Sequence, residues 1–285
     1  MSWALQALNG ISTGALLFLM ASGFTLSFGL ARVVNLAHGA FYLLGGYLGL
    51  TVLRGTENFW LALLAGGAGT VVVGTLSERF LIRLTLHNEL AQVLLTVGIA
   101  YVLADVCLQI WGGNPLRIPP PEFARGPLDL PGGLVYPRYR FLLIVFGVVV
   151  GVALWLLYSR TLLGAIVRAG VDDREMVSAM GINIDRLFGL VFALAAFLAG
   201  LSGVAGGAFL TLYPGAEWDI LVLALVVVIV GGLGSLEGAM AGSLIVGLVD
   251  AYGRWLVPEF SYFVVFGPMA VLLLFRPTGL FGREV

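Results

Sequence analysis

The sequence predicts an all-α polytopic membrane protein with about eight to nine transmembrane helices or re-entrant segments. Two observations carry this. Of 285 residues, 60% are hydrophobic and 11% are charged, where a soluble domain carries roughly 25% charged residues. Apolar runs of about 20 residues, the length that crosses a bilayer core, also recur along the whole chain. With a net charge of −1 there is no basic face for nucleic acid. The single cysteine, Cys107, lies in an apolar run, so no disulfide forms within the chain.

Nine apolar segments follow one another: 8–30, 36–53, 59–77, 90–111, 141–159, 187–210, 219–234, 237–254 and 262–276. The first charged residue is Arg32. No positive n-region precedes the first run, so it is expected to stay as the first span. Small residues cluster at Gly66, Gly67, Gly69 and Gly74, and again at Gly200, Gly203 and Gly207. In lipid, such residues let helices approach closely. The stretch 112–140 is rich in Pro and Gly and is expected to be a non-helical, extended external loop. It serves either as a connector or as a surface for an external partner. Segments 219–234 and 237–254 are short and flank the turn "GGLGSLEG". They form two crossings or one re-entrant hairpin, the latter tolerated where protein or a water-filled cavity surrounds it.

Orientation rests on arginine, because the chain has no lysine. With residues 160–186 inside, nine arginines lie inside and six outside. Cytoplasmic loops carry the positive excess, so the N-terminus is expected outside and the C-terminus inside.

The missing motifs narrow the function. A phosphate-binding loop needs a lysine after its glycines, so "GGLGSLEGA" is not one. Two histidines and one cysteine, far apart, make no zinc pattern. Ionisable residues in spans would mark an ion-driven carrier. Asp105 and Asp250 lie toward the outer ends of their spans, Glu237 sits in the turn, and Arg254 stands four residues after Asp250, the spacing of a helical ion pair. Energy therefore comes from a partner or a gradient, or transport is passive.

One segment departs from its surroundings. "GAIVRAGVDDREMVSAMGINIDR", 164–186, is dense in charge between two apolar runs. Asp172 followed by Glu175 suggests a variant capping box. Asp173 places negative charge in the first turn, and Gly181 is a natural stop. A helix of about eight residues is expected between them. Met176, Ala179 and Met180 then share a face, and Asp185 is placed to cap the next span. Methionine makes an adaptable contact surface, so the segment is either a docking knob for a cytoplasmic protein or a helix lying on the bilayer.

Three blocks resemble the integral-membrane permeases of bacterial ATP-binding-cassette importers for branched-chain amino acids. These are "GFTLSFGLARVVNLAHGAFYLLGGY" (23–47), the stretch 164–207, and "VVVIVGGLGSLEGAMAGSLIVGLV" (226–249) with "RPTGLFG" (276–282). Weaker matches are Glu78, Arg79 and Arg83, and Thr96, Val97 and Gly98. The resemblance implies an importer permease fold over a single domain, 1–285, without catalytic residues and with no cofactor of its own. ATP would be bound on partner subunits. It implies a bacterial inner membrane and a second permease, paralogous or identical. Two cytoplasmic ATPases and an external solute-binding protein delivering a small hydrophobic amino acid complete the set. It also makes 160–186 the coupling loop. Arg168, Ala169, Glu175, Ala179, Gly181 and Ile182 match the family block, and Asp172, Met176 and Met180 complete the expected docking surface. Permeases for urea and short amides share these blocks, so substrate is the open point. An autonomous ion-coupled carrier and a membrane scaffold are the readings from other classes.

For the pathway, Asn35, His38, Gln92 and Thr96 are polar residues near or inside spans without an obvious charge partner. They either line the route or pair between helices, since buried polar groups need hydrogen bonds.

Overall fold

The computed structural model describes residues 3–31, 35–85, 88–131 and 133–282. Its elements in chain order are α1 (Trp3–Ala31), α2 (His38–Thr56), α3 (Phe59–Phe80), α4 (Glu89–Trp111), β1 (Pro127–Leu130), β2 (Leu134–Pro137), α5 (Arg138–Arg160), α6 (Leu162–Asp172), α7 (Arg174–Ala179), α8 (Ile184–Phe209), α9 (Ala216–Gly231), α10 (Leu236–Leu256) and α11 (Ser261–Phe275). The helix starts follow capping chemistry. Asn58 Oδ1 accepts from the backbone N–H groups of Trp60 and Leu61 at the start of α3, and Asn88 Oδ1 from Ala91 at the start of α4. Ser235 Oγ accepts from Gly238 at the start of α10. Each satisfies backbone donors that the first turn leaves without partners.

Among the described residues, five helices are long and apolar enough to cross a membrane unaided: α1, α3, α4, α5 and α8. The pair α9–α10, bent by 118° at its break, makes a sixth span if counted as one. Helix α10 nonetheless has the reach of a crossing by itself. Its 21 residues measure about 32 Å. It runs antiparallel along α1, with Gly29 against Gly234, Gly14 against Ser243 and Gly10 against Leu248.

Helix α2 falls short on composition, being rich in Gly and Tyr, and its setting explains why. It is enclosed by α3, α4, α8 and α9, and Phe41, Tyr42, Leu43 and Tyr47 are fully buried. A helix that meets protein all round has no need of a lipid-facing surface. The outer helices show the converse. Only 22% of the spanning windows of α4 and α5 is buried in the protein, against 78% for α1 and 72% for α8. Exposed Leu94, Val102, Val148 and Val149 form their outer faces.

The glycine clusters are contact seams. At Gly200, Gly45 and Gly66, backbones of α8, α2 and α3 come together, and a Cβ on Gly203 would overlap the Tyr42 carbonyl oxygen. Thr70 Oγ1 donates across the same seam to the Ala196 carbonyl at 2.8 Å. Close approach of this kind replaces the hydrophobic drive that lipid cannot provide between helices.

One helix starts within the spanning layer, and one described stretch enters it without helix. Helix α2 begins at the level of Met20, well before α1 ends, for His38 Nε2 lies 3.1 Å from the Met20 carbonyl oxygen. The connection from α8 to α9, residues 210–215, descends to the same depth, where Glu217 meets Gly39. Irregular backbone is tolerated at such depth only inside protein or beside water.

Among its described residues, the 112–140 stretch is not helical apart from one short turn, Glu122–Ala124, before α5 begins at its end. It is also not the simple extended path that its prolines suggest. β1 and β2 pair antiparallel, Leu116 exchanges backbone hydrogen bonds with Leu212, and buried Tyr136 donates to the Leu8 carbonyl at 2.8 Å. The stretch is thereby pinned to one end of the helix bundle.

Candidate functional site

The 160–186 segment forms the other end of the molecule. Helix α5 stops at Arg160, and α6 starts at once, with Thr161 Oγ1 accepting from Gly164 N–H. Gly164 is packed so closely on the Tyr158 carbonyl that no side chain fits. Helix α6 is amphipathic. Val167 is buried, while Leu162 and Leu163 are exposed, which suits a helix lying at a membrane interface. The Arg168 guanidinium stands over the Tyr158 ring, 5.1 Å from its centre. Sequence alone does not separate this helix from the preceding span.

The short helix expected between Asp172 and Gly181 is present as α7, but its cap is corrected. Asp173, not Asp172, is the N-cap, and its Oδ1 accepts from Met176 N–H at 2.9 Å. Asp172 belongs to α6, because the Asp173 N–H still bonds to the Ala169 carbonyl. A residue with helical backbone cannot occupy the non-helical N-cap. The Asp172–Glu175 capping box is therefore absent, and Glu175 sits in the first turn of α7, exposed. Likewise Asn183, not Asp185, caps α8, accepting from Arg186 N–H at 3.0 Å.

The stop at Gly181 is as expected. Its φ is +84°, a backbone region that glycine enters without cost. Gly181 N–H bonds to Ser178 and Ile182 N–H to Val177, the paired bonds of a Schellman motif. Val177 is the residue of α7 that turns inward, at 3% exposure. Met176 and Met180 are 60% and 73% exposed, with exposed Ala179 between them. Ala169 is also exposed, and Arg168 and Ile182 are half-buried.

A clasp ties this segment to the bundle. Glu78, near the end of α3, is 1% exposed and pairs with Arg83 at 2.6 Å. Arg83 Nη2 reaches across 102 residues of sequence to the Asp185 carbonyl at 2.9 Å. Spacing alone gives no sign of this link, which only the tertiary fold creates.

The four polar residues expected along the pathway are all buried. Asn35 Oδ1 accepts from Ala37 N–H, and Asn35 O accepts from His38 N–H, so Asn35 sets the start of α2. His38 Nε2–H donates to Met20, while Nδ1 has no partner among the described residues. Thr96 Oγ1 donates to the Val93 carbonyl within α4, and Gln92 lies one turn earlier on the same face. None of the four lines the cavity at the end opposite the 160–186 segment.

That cavity holds about 650 Å³. Tyr42, Phe209, residues of the 210–215 connection, the first turns of α9, the end of α10 and α11 surround it. Asp250 and Arg254 on its wall form the expected i,i+4 pair at 2.8 Å. Arg117 from the external stretch and Asp219 from α9 complete its charged groups. Among the described residues no cluster of His, Cys, Asp and Glu is arranged to hold a metal ion.

Comparison with known proteins fits this architecture. The family model described as "Branched-chain amino acid transport system / permease component" matches residues 6–273. The chain is 30% identical to the high-affinity branched-chain amino acid transport system permease protein BraD of Pseudomonas aeruginosa, over 98% of this chain and 95% of that one. It is 28% identical, over the same shares, to the permease protein LivH of Escherichia coli K12. A more distant relative, the fructose import permease protein FruF of Bifidobacterium longum, is 23% identical over 81% of this chain and 65% of its own length. No solved structure matches. The lipid-facing helices, the enclosed α2 and the near full-length match together make the chain a multi-pass membrane protein of the branched-chain amino acid transport system permease component family.

Proposed function

We propose that this chain forms the translocation pathway of an ATP-driven importer for branched-chain, hydrophobic amino acids, with α6 and α7 as the surface on which a cytoplasmic ATPase docks. The observation that carries the reading is α7 itself. It is capped at both ends, shows two exposed methionines, and leads into the first turn of α8, which Arg83 and Glu78 tie to α3. A chain without a phosphate-binding loop that displays such a helix is suited to receive force from a partner. The clasp gives that force a route into the spans. The amino-acid substrate is supported by the relatives named for it. A second permease subunit and an external binding protein complete the proposed assembly.

The test is co-expression with the ATPase, second permease and binding-protein candidates, followed by purification and reconstitution in liposomes. ATP-dependent leucine uptake is expected, with hydrolysis stimulated by loaded binding protein. Met180→Glu, which puts a charge on the docking face, should lower ATPase recovery at least severalfold while the chain still inserts. Uptake of urea or a short amide with none of leucine would refute the substrate. Uptake by the chain alone, driven by an ion gradient, would refute the importer.

A further inference from the structure

The 650 Å³ cavity has the size of a small-molecule site, which runs from about 300 to 1,000 Å³, and its charges are set out unusually. Of its four charged side chains, Asp250 and Arg254 neutralise each other. Arg117 and Asp219 do not. Among the described residues Arg117 makes no ion pair, and Asp219 has only the Tyr213 hydroxyl as a donor. One fixed positive and one fixed negative group thus face a common space without pairing. Between them the wall is aromatic and aliphatic, with Phe209, Trp218, Ile220 and Phe266. Tyr42, also on the wall, has a fully buried hydroxyl with no partner among the described residues. Arg117 and Asp219 are both exposed, and charges that face a cavity mark a wet or ligand-bearing space, not a lipid face. The non-helical 210–215 connection along one side is tolerated for the same reason.

The geometry points to a binding site for a zwitterionic amino acid with an apolar side chain. Arg117 takes the carboxylate, Asp219 takes the ammonium, and the aromatic wall takes the side chain. An arginine fork suits a carboxylate in two-point contact. The site rests on the importer reading above and specifies it. It would be where the substrate is held on entering from the end opposite the coupling segment. The same pair of charges also complements the headgroup of phosphatidylethanolamine, so the test separates the two sources.

The experiment uses the assembled transporter with Val222→Cys, on the cavity wall, in a Cys107→Ser background. The rate at which a small thiol reagent labels the introduced thiol is followed in phosphatidylcholine vesicles. Leucine is expected to slow labelling. Arg117→Gln should raise the leucine concentration needed by about tenfold or more, the scale of one charged hydrogen bond. The same change should leave protection by leucinamide, which lacks the carboxylate, unaltered. Asp219→Asn should weaken leucine likewise but spare 4-methylvalerate, which lacks the ammonium. Arg117→Lys should recover part of the loss. If leucine is taken up normally yet protects neither the parent nor the variants, or protects all of them equally, the site is refuted and the importer stands. If phosphatidylethanolamine alone protects and leucine adds nothing, the cavity holds lipid and the inference is wrong. If the parent complex takes up no leucine at all, the importer reading falls, and the site with it.

Discussion

Gly203 shows how a single position sets the spacing of two helices. A Cβ there would overlap the Tyr42 carbonyl oxygen, a backbone atom that cannot turn away. Gly203→Ala should force α2 and α8 apart and cost about 1–3 kcal/mol, the scale of overpacking. A lowered unfolding temperature in detergent would report it. Gly55 is the control, because a methyl group there would meet no atom within 4 Å. Gly55→Ala should be neutral or slightly stabilising. A gain at both sites would show that helix propensity, not approach, governs these glycines. Tyr42 is also on the cavity wall, so a shift at Gly203 should disturb leucine protection there as well.

Among the elements, α7 carries the sharpest contrast between sequence and structure. The stop at Gly181 and the methionine face are legible, because a left-handed glycine and an i, i+4 pair are local features. The cap is not. Asp172 and Asp173 are adjacent and chemically alike, and which one caps depends on where α6 ends, itself set by packing of Val167 on the bundle. Helix α6 is hidden for a related reason: its apolar residues merge into the end of the preceding span. Neither the clasp through Arg83 nor the cavity is legible, since both join residues far apart in sequence. The spans themselves are readable because lipid demands long apolar helices, and α2 reads as one from its aliphatic residues although protein encloses it. The corrected cap makes a distinguishing prediction. Asp173→Ala should cost about 1 kcal/mol of local helix stability and reduce substrate-stimulated ATP hydrolysis. Asp172→Ala should do less, with both variants still inserting and expressing. The reverse order, in hydrolysis measured on the reconstituted complex, would restore Asp172 as the cap.

At the scale of the whole molecule, the fold sorts the arginines by end. Arg79, Arg83, Arg160, Arg168, Arg174, Arg186 and Arg276 lie toward the end that holds the 160–186 segment, where the end of α9 meets the C-terminal stretch through the Leu280–Val230 and Phe281–Gly231 bonds. Arg54, Arg117, Arg125, Arg138, Arg140 and Arg254 lie toward the opposite end, with the β1–β2 hairpin. Of the nine expected inside, Arg32 and Arg283 fall outside the described residues. These are the two groups that the topology with the N-terminus outside requires, and the positive-inside rule assigns the coupling end to the cytoplasm. On the importer reading proposed above, the assignment would put the cavity outside, where substrate would arrive, and α7 inside, where ATP would be. In a Cys107→Ser background, Arg125→Cys should react with an impermeant thiol reagent in intact cells. Ser178→Cys, exposed on α7, should react only after the membrane is opened, and more slowly still once the ATPase subunits are bound. Labelling of both from the same side would break the arrangement of spans. Labelling with the sides exchanged would keep the spans and invert the protein, leaving α7 without access to ATP and the cavity without access to external substrate.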